Sequence, residues 1–257
     1  MSGRIWIRDA WILCITAMLA ACVQSPDNQN DPEDTNAHNR ARVHTELASA
    51  YYGAGQYDIA LDEVRIALEA DDDYLQAINQ LGLIHIALGQ TEEAKKALKH
   101  AIKVAPDDPS VNNNYGMLLC SLGDQAEAMR YFKKALNDPL YRNPEFAYVN
   151  AGVCVKDMGD YERARQLLGR ALALSPDQPQ ALYHMADVAY LTGDYRSARR
   201  YITRHLQVVV AGPDALWLAA RTAYQLGDAG ALDTYGVQLN RRFPDLEQTR
   251  AFNGGRF

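Results

Sequence analysis

Small and apolar residues recur along residues 41–244 at a fixed phase. A Gly stands at 55, 89, 123, 159, 193 and 227, with spacings of 34, 34, 36, 34 and 34. Seven residues before each Gly sits another small residue: Ala48, Gly82, Gly116, Gly152, Ala186 and Ala220. Five residues after each of the first five comes Ala60, Ala94, Ala128, Ala164 or Ala198, and the first four units add Ala67, Ala101, Ala135 and Ala171. Leu81, Leu98, Phe132, Leu168 and Ile202 supply large apolar side chains between these positions. The pattern predicts six antiparallel helical hairpins. Small residues let the two helices of a hairpin approach, and the Gly relaxes the tight turn that joins them. Ala-Pro-Asp at 105–107 and Ser-Pro-Asp at 175–177 end one hairpin and start the next.

This 34-residue period resembles the tetratricopeptide family over about residues 41–244. The resemblance implies an all-α, right-handed superhelical solenoid of six hairpins, at about 41–74, 75–108, 109–144, 145–178, 179–212 and 213–244. Between the third and fourth units a two-residue insertion, within Asn137 to Pro144, predicts a longer shaped loop. The sixth unit departs from the pattern at Ala231 and Leu232, as expected of a terminal unit with one neighbour. Residues 245–257 form a C-terminal tail, whose last segment, Ala251 to Phe257, is expected to fray.

The N-terminal stretch reads differently. Arg4 and Arg8 precede an apolar run from Ala10 to Ala21, too short to span a bilayer comfortably. A signal peptide over 1–21 is the expected reading. Leu19-Ala20-Ala21-Cys22 resembles the lipobox of bacterial lipoproteins, which implies cleavage before Cys22, a diacylglycerol on its thiol and an acyl chain on the new amino group. Several acyl chains anchor stably where one does not. Val23, where an Asp would resemble an inner-membrane retention signal, implies sorting to the outer membrane by the lipoprotein sorting machinery, on the periplasmic face. Residues 22–40 are polar and acidic and are expected to form a flexible tether, because they bury too little apolar area to offset ordering.

Composition narrows the chemistry. The chain has 257 residues, 48% of them hydrophobic and 23% charged, with a formal net charge of -6. Removing residues 1–21 takes away Arg4, Arg8 and Asp9 and leaves it one charge more negative. An acidic balance argues against nucleic acid as the main partner. No HExxH, GxSxG, Walker A, GxGxxG or CxxC pattern occurs, so no catalytic residue, metal ligand, small-molecule substrate or cofactor beyond the lipid is expected. Gly-Asp pairs at 123–124, 159–160, 193–194 and 227–228 share one phase and read as turn and N-cap residues. Cys120 and Cys154 fall on the first helices of adjacent units, where they form either a disulfide or two buried thiols. His85, His184 and His205 read as packing or surface residues.

In this architecture the first helices line the inner, concave wall. The phase places Asn113, Met117 and Cys120 there, then Phe146, Val149, Val153 and Lys156. Tyr183, Asp187 and Tyr190 follow, and then Trp217, Arg221 and Tyr224. Each either faces the groove or packs between helices. The groove reads as apolar and aromatic with sparse polar groups, a composition suited to a peptide or helix laid along it.

The segment from Asp138 through Pro139-Leu140-Tyr141-Arg142-Asn143-Pro144 to Cys154, with Gly159-Asp160, resembles the fourth-repeat signature of the type IV pilus biogenesis lipoproteins. Arg241-Arg242-Phe243-Pro244-Asp245 resembles their closing segment. The resemblance implies a pilotin: a lipoprotein that binds subunits of the pilus secretin and promotes their outer-membrane localisation and multimerisation, on which pilus extension and twitching motility depend. A periplasmic scaffold for another envelope complex, or an accessory subunit of an envelope enzyme, are the alternatives.

Overall fold

The computed structural model describes residues 32–257. The signal peptide, the lipobox with Cys22 and the first part of the acidic tether lie outside the described residues. Thirteen helices are described: six hairpins and one further helix. The hairpins pair α1 (Pro32–Gly53) with α2 (Tyr57–Ala70), α3 (Leu75–Ala87) with α4 (Thr91–Val104), and α5 (Pro109–Ser121) with α6 (Gln125–Leu136). They continue with α7 (Pro144–Asp157) and α8 (Tyr161–Leu174), α9 (Pro179–Leu191) and α10 (Tyr195–Val208), and α11 (Pro213–Gln225) and α12 (Ala229–Arg242). The last helix is α13 (Glu247–Asn253). Each first helix touches the next first helix, whereas no second helix meets another second helix. The result is an all-α solenoid with one wall built from α1, α3, α5, α7, α9 and α11.

The repeating glycines do two jobs. Gly123, with φ of +82°, ends α5 in the left-handed region, like its five equivalents. Its N–H donates to the Cys120 carbonyl and the Asp124 N–H to the Leu119 carbonyl, so the helix end is satisfied as the chain reverses. The second set sits where the helices cross. A Cβ on Gly116 would lie 2.9 Å from the Phe132 ring, and one on Gly152 2.9 Å from Leu168. At Gly82 it would stand 2.5 Å from Leu98. In these three hairpins the large residue of the second helix therefore rests directly on the backbone of the first.

Asp160, Asp194 and Asp228 each accept a backbone N–H three residues on, as N-caps, while Asp124 makes no such bond. Pro opens five of the helices, α1, α5, α7, α9 and α11, where its missing N–H costs nothing. Between α6 and α7 the inserted loop is pinned by Asp138, whose carboxylate accepts the Leu140 N–H at 2.8 Å. The loop leaves Leu140 almost fully exposed.

Two expectations are corrected at the ends. The expected tether up to residue 40 is shortened, because α1 begins at Pro32 and continues unbroken into the first hairpin. The extension is fastened to the turn between α2 and α3: His38 Nδ1 lies 3.0 Å from an Asp71 carboxylate oxygen, and its ring meets Tyr74 edge-on at 5.0 Å. The tail does not fray. Residues 247–253 form α13, which packs across α11 and α12 and covers the side of the sixth hairpin that has no following repeat. Thr249 is fully buried and donates to the Phe243 carbonyl at 2.6 Å. Asn253 and Asn240 exchange side-chain hydrogen bonds, and Gly236 is small because Phe252 lies against it.

Candidate functional site: the wall of first helices

The wall changes character along its length. In the second to fourth repeats it carries a chain of amides. Asn114 Nδ2 donates to Asn79 Oδ1 at 3.0 Å, linking α5 to α3. Asn150 Nδ2 donates to Asn113 Oδ1 at 3.0 Å, linking α7 to α5, and Asn113 donates to Asn114 at 3.1 Å. Each carboxamide has two donors and two acceptor lone pairs. Asn79, Asn114 and Asn150 are only partly buried, so they retain capacity to bind a peptide backbone lying across them. The groove is thus more polar than its composition suggested. Asn79, Asn114 and Asn150 escaped the sequence reading, although the recurrence of Asn at spacings of 35 and 36 was there to be found.

The same helices are tied covalently. Cys120 Sγ in α5 is bonded to Cys154 Sγ in α7, with the Cα atoms 5.7 Å apart. The third and fourth repeats therefore present their part of the wall as one piece. Met117 and Val153 are half-buried beside the bridge, and Phe146 is 45% exposed at the start of α7. Val149 is corrected: it is buried against Leu168, Ala181 and Met185 in the core between the fourth and fifth repeats and cannot face a ligand. The wall position next to it is Asn150. Asn113 is also nearly buried, and serves the wall as a strut for its neighbours.

Further along, Lys156 Nζ in α7 donates to Asp187 in α9 at 2.8 Å, and both are mostly buried. Tyr183 and His184 lie beside this pair, with ring centroids 5.1 Å apart. Burial, and then the Lys156 ammonium, push the His184 pKa down to about 4. Burial, and then the Asp187 carboxylate, push the Tyr183 hydroxyl up to about 12. Near pH 7 both rings are therefore neutral, beside the Lys156–Asp187 pair and the Asp157 carboxylate, which lies 3.6 Å from the same ammonium.

The last section is aromatic and cationic. The Arg221 guanidinium carbon lies 4.6 Å from the Tyr190 ring centre and 5.6 Å from that of Trp217. Tyr224 is stacked by Phe257, with centroids 4.5 Å apart and planes 14° from parallel. Trp217, Tyr190 and Tyr224 are on the wall, but Trp217 and Tyr224 are partly covered: Phe257, expected in a frayed tail, lies against both.

Among the described residues, no group of three or more His, Cys, Asp or Glu is arranged to hold a metal ion. None of the described helices is long and apolar enough to cross a membrane. The wall offers half-buried amides, aromatic faces and, in Arg221, a guanidinium whose Nε has no hydrogen-bond partner among the described residues.

Tetratricopeptide-repeat family models match residues 75–108, 109–137 and 156–208. Among solved structures, the chain is similar to PilW, a widely conserved type IV pilus biogenesis factor. The two are 32% identical, with a TM-score of 0.71, and the match covers 82% of this chain and 97% of PilW. The chain belongs to the PilW family of type IV pilus biogenesis factors. It shares its fold with Pseudomonas aeruginosa pilF at 24% identity and a TM-score of 0.70, covering 86% of this chain and all of that one. The Cut9 and Hcn1 hetero-tetramer of the APC/C matches at 13% identity and a TM-score of 0.74, over 86% of this chain and 44% of that one, a likeness of fold alone. No curated protein sequence matches the chain. Membership in this family of repeat scaffolds makes the protein a non-enzymatic one.

Proposed function

We propose that the protein is a pilotin: an outer-membrane lipoprotein, anchored through acyl chains on Cys22, that binds type IV pilus secretin subunits and promotes their localisation and multimerisation. The single observation that carries this reading is the likeness to PilW, which extends over nearly all of that chain. The wall supports it physically. An extended secretin segment would lay its backbone across Asn79, Asn114 and Asn150 and its apolar side chains against Met117, Phe146 and Val153. The lipid would place the complex on the periplasmic face, and the wall would select the cargo. The Cys120–Cys154 bond fits an oxidising compartment such as the periplasm.

The Asn114→Ala, Asn150→Ala double variant tests the wall. Each amide removed forfeits a backbone hydrogen bond worth about 1 kcal/mol. Secretin affinity, measured by surface plasmon resonance, should fall by about thirtyfold, with the circular dichroism spectrum unchanged. Full affinity would move the site off the wall, to the second helices or the loop at 137–143.

A further inference from the structure

The sixth repeat holds a small aromatic receptor, and the chain's own tail fills it. Two glycines, Gly254 and Gly255, follow α13. Gly255 takes a φ of +64°, and the Arg256 N–H donates to the Ala251 carbonyl at 3.0 Å, so the chain is turned back over the helix it has just left. Phe257 then lies flat on Tyr224, with Trp217 at 5.7 Å and the edge of Phe252 at 5.6 Å. Tyr224 remains 52% exposed beneath it, so the ring is a cover on an open slot and not part of a sealed core.

Beside the slot, Arg221 is poorly served. Its guanidinium lies against the rings of Tyr190 and Trp217, and its Nε is buried with no hydrogen-bond partner among the described residues. A cation held between two aromatic faces is oriented by them. A buried donor with no acceptor costs free energy that a ligand carboxylate would recover.

We propose that Trp217, Arg221 and Tyr224 form a receptor for a partner segment that carries an aromatic side chain next to a carboxylate, and that Phe257 holds this receptor closed from within the chain. The occupant is read from what already sits there: a single Phe ring on a short glycine joint, stacked but not enclosed. The partner's aromatic ring replaces Phe257 on Tyr224, and its carboxylate gives Arg221 the acceptor it lacks. A tail tethered by so short a joint competes at an effective concentration on the order of millimolar. Phe257 therefore sets a threshold that weak aromatic segments do not pass. The inference rests on the first-helix wall being a binding surface, and it holds whichever partner the wall serves.

The test uses the detergent-solubilised full chain and three hexapeptides: Gly-Gly-Asp-Phe-Gly-Gly, the same peptide with Ala for Phe, and the same peptide with Lys for Asp. Binding is read from the Trp217 indole N–H resonance, assigned by its loss in Trp217→Phe. Phe257→Ala should bind the Asp-Phe peptide about tenfold more tightly than the unaltered chain. The Ala peptide should not bind. The Lys peptide should bind several-fold more weakly than the Asp-Phe peptide, and Arg221→Gln should erase that preference. Circular dichroism confirms that α13 and the repeats are intact in each variant. Equal affinity in Phe257→Ala and the unaltered chain would overturn the closed-receptor reading, and equal affinity for the Asp and Lys peptides would overturn the role of Arg221. Neither result depends on a secretin, so the pilotin reading and this one fail separately.

Discussion

Phe132→Ala will lower the free energy of unfolding by about 3–5 kcal/mol, the range for deleting a fully buried aromatic side chain. Phe132 has no exposed surface and rests on the backbone of Gly116. It packs with Leu98 of the second repeat and Ala151 and Cys154 of the fourth, within one cluster. No side chain can collapse into its place, because the facing position in α5 is a Gly. The third hairpin also has a special position in the array. In a solenoid each repeat is stabilised by its neighbours, so a weak middle unit uncouples the two halves. Thermal unfolding should therefore shift down by about 10 °C, taking about 2–4 °C per kcal/mol for a chain of this size. It should also split into two transitions where the unaltered chain shows one. Differential scanning calorimetry checks both. A loss under about 1 kcal/mol would mean that the hairpin relaxes onto Gly116 after all.

Reduction of the Cys120–Cys154 bond has the second large effect. The bond closes a loop across a sequence separation of 34 and joins α5 to α7. Opening it restores chain entropy to the unfolded state, for an expected loss of about 3–4 kcal/mol. A phosphine reductant is the cleaner perturbation, because replacing the fully buried Cys154 would add a packing defect. The melting temperature should fall by about 10 °C. The wall should loosen as well, since Asn113 and Asn150 meet across the same helix pair. Hydrogen exchange in α7 should accelerate more than in α11, which is remote from the bridge. An unchanged melting temperature after complete reduction would show that packing alone holds the two repeats in register.

The hairpins were legible because each rests on positions that tolerate only small residues. Gly123 needs a positive φ, Gly116 and Gly152 lie under large side chains, and Ala128 and Ala164 are buried at the same crossing. Sterics of this kind repeat in register and leave a period in the sequence. The wall was legible only in outline. Whether a first-helix residue faces the groove or the next repeat depends on a rotation of the helix by less than one residue. Val149 and Asn150 are adjacent, and that rotation buries the first and exposes the second. The tail was misread because its partners are remote. Phe252 is received by Gly236 and Phe257 by Tyr224, and nothing in the polar segment around Gly254 and Gly255 signals either contact. The helix at 32–40 was hidden for the same reason: its anchor, His38 on Asp71 and Tyr74, spans 33 residues or more.

The pilotin reading meets its most direct test in the proteins that coprecipitate with the tagged full-length chain from gently solubilised whole piliated cells. Cys22→Ser serves as a parallel bait. The account predicts that the pilus secretin is enriched with the full-length chain. It also predicts that secretin binding persists with Cys22→Ser, although that variant no longer reaches the outer membrane. Absence of secretin, with another envelope assembly or an envelope enzyme enriched in its place, would contradict it and leave the repeat wall in search of a different cargo.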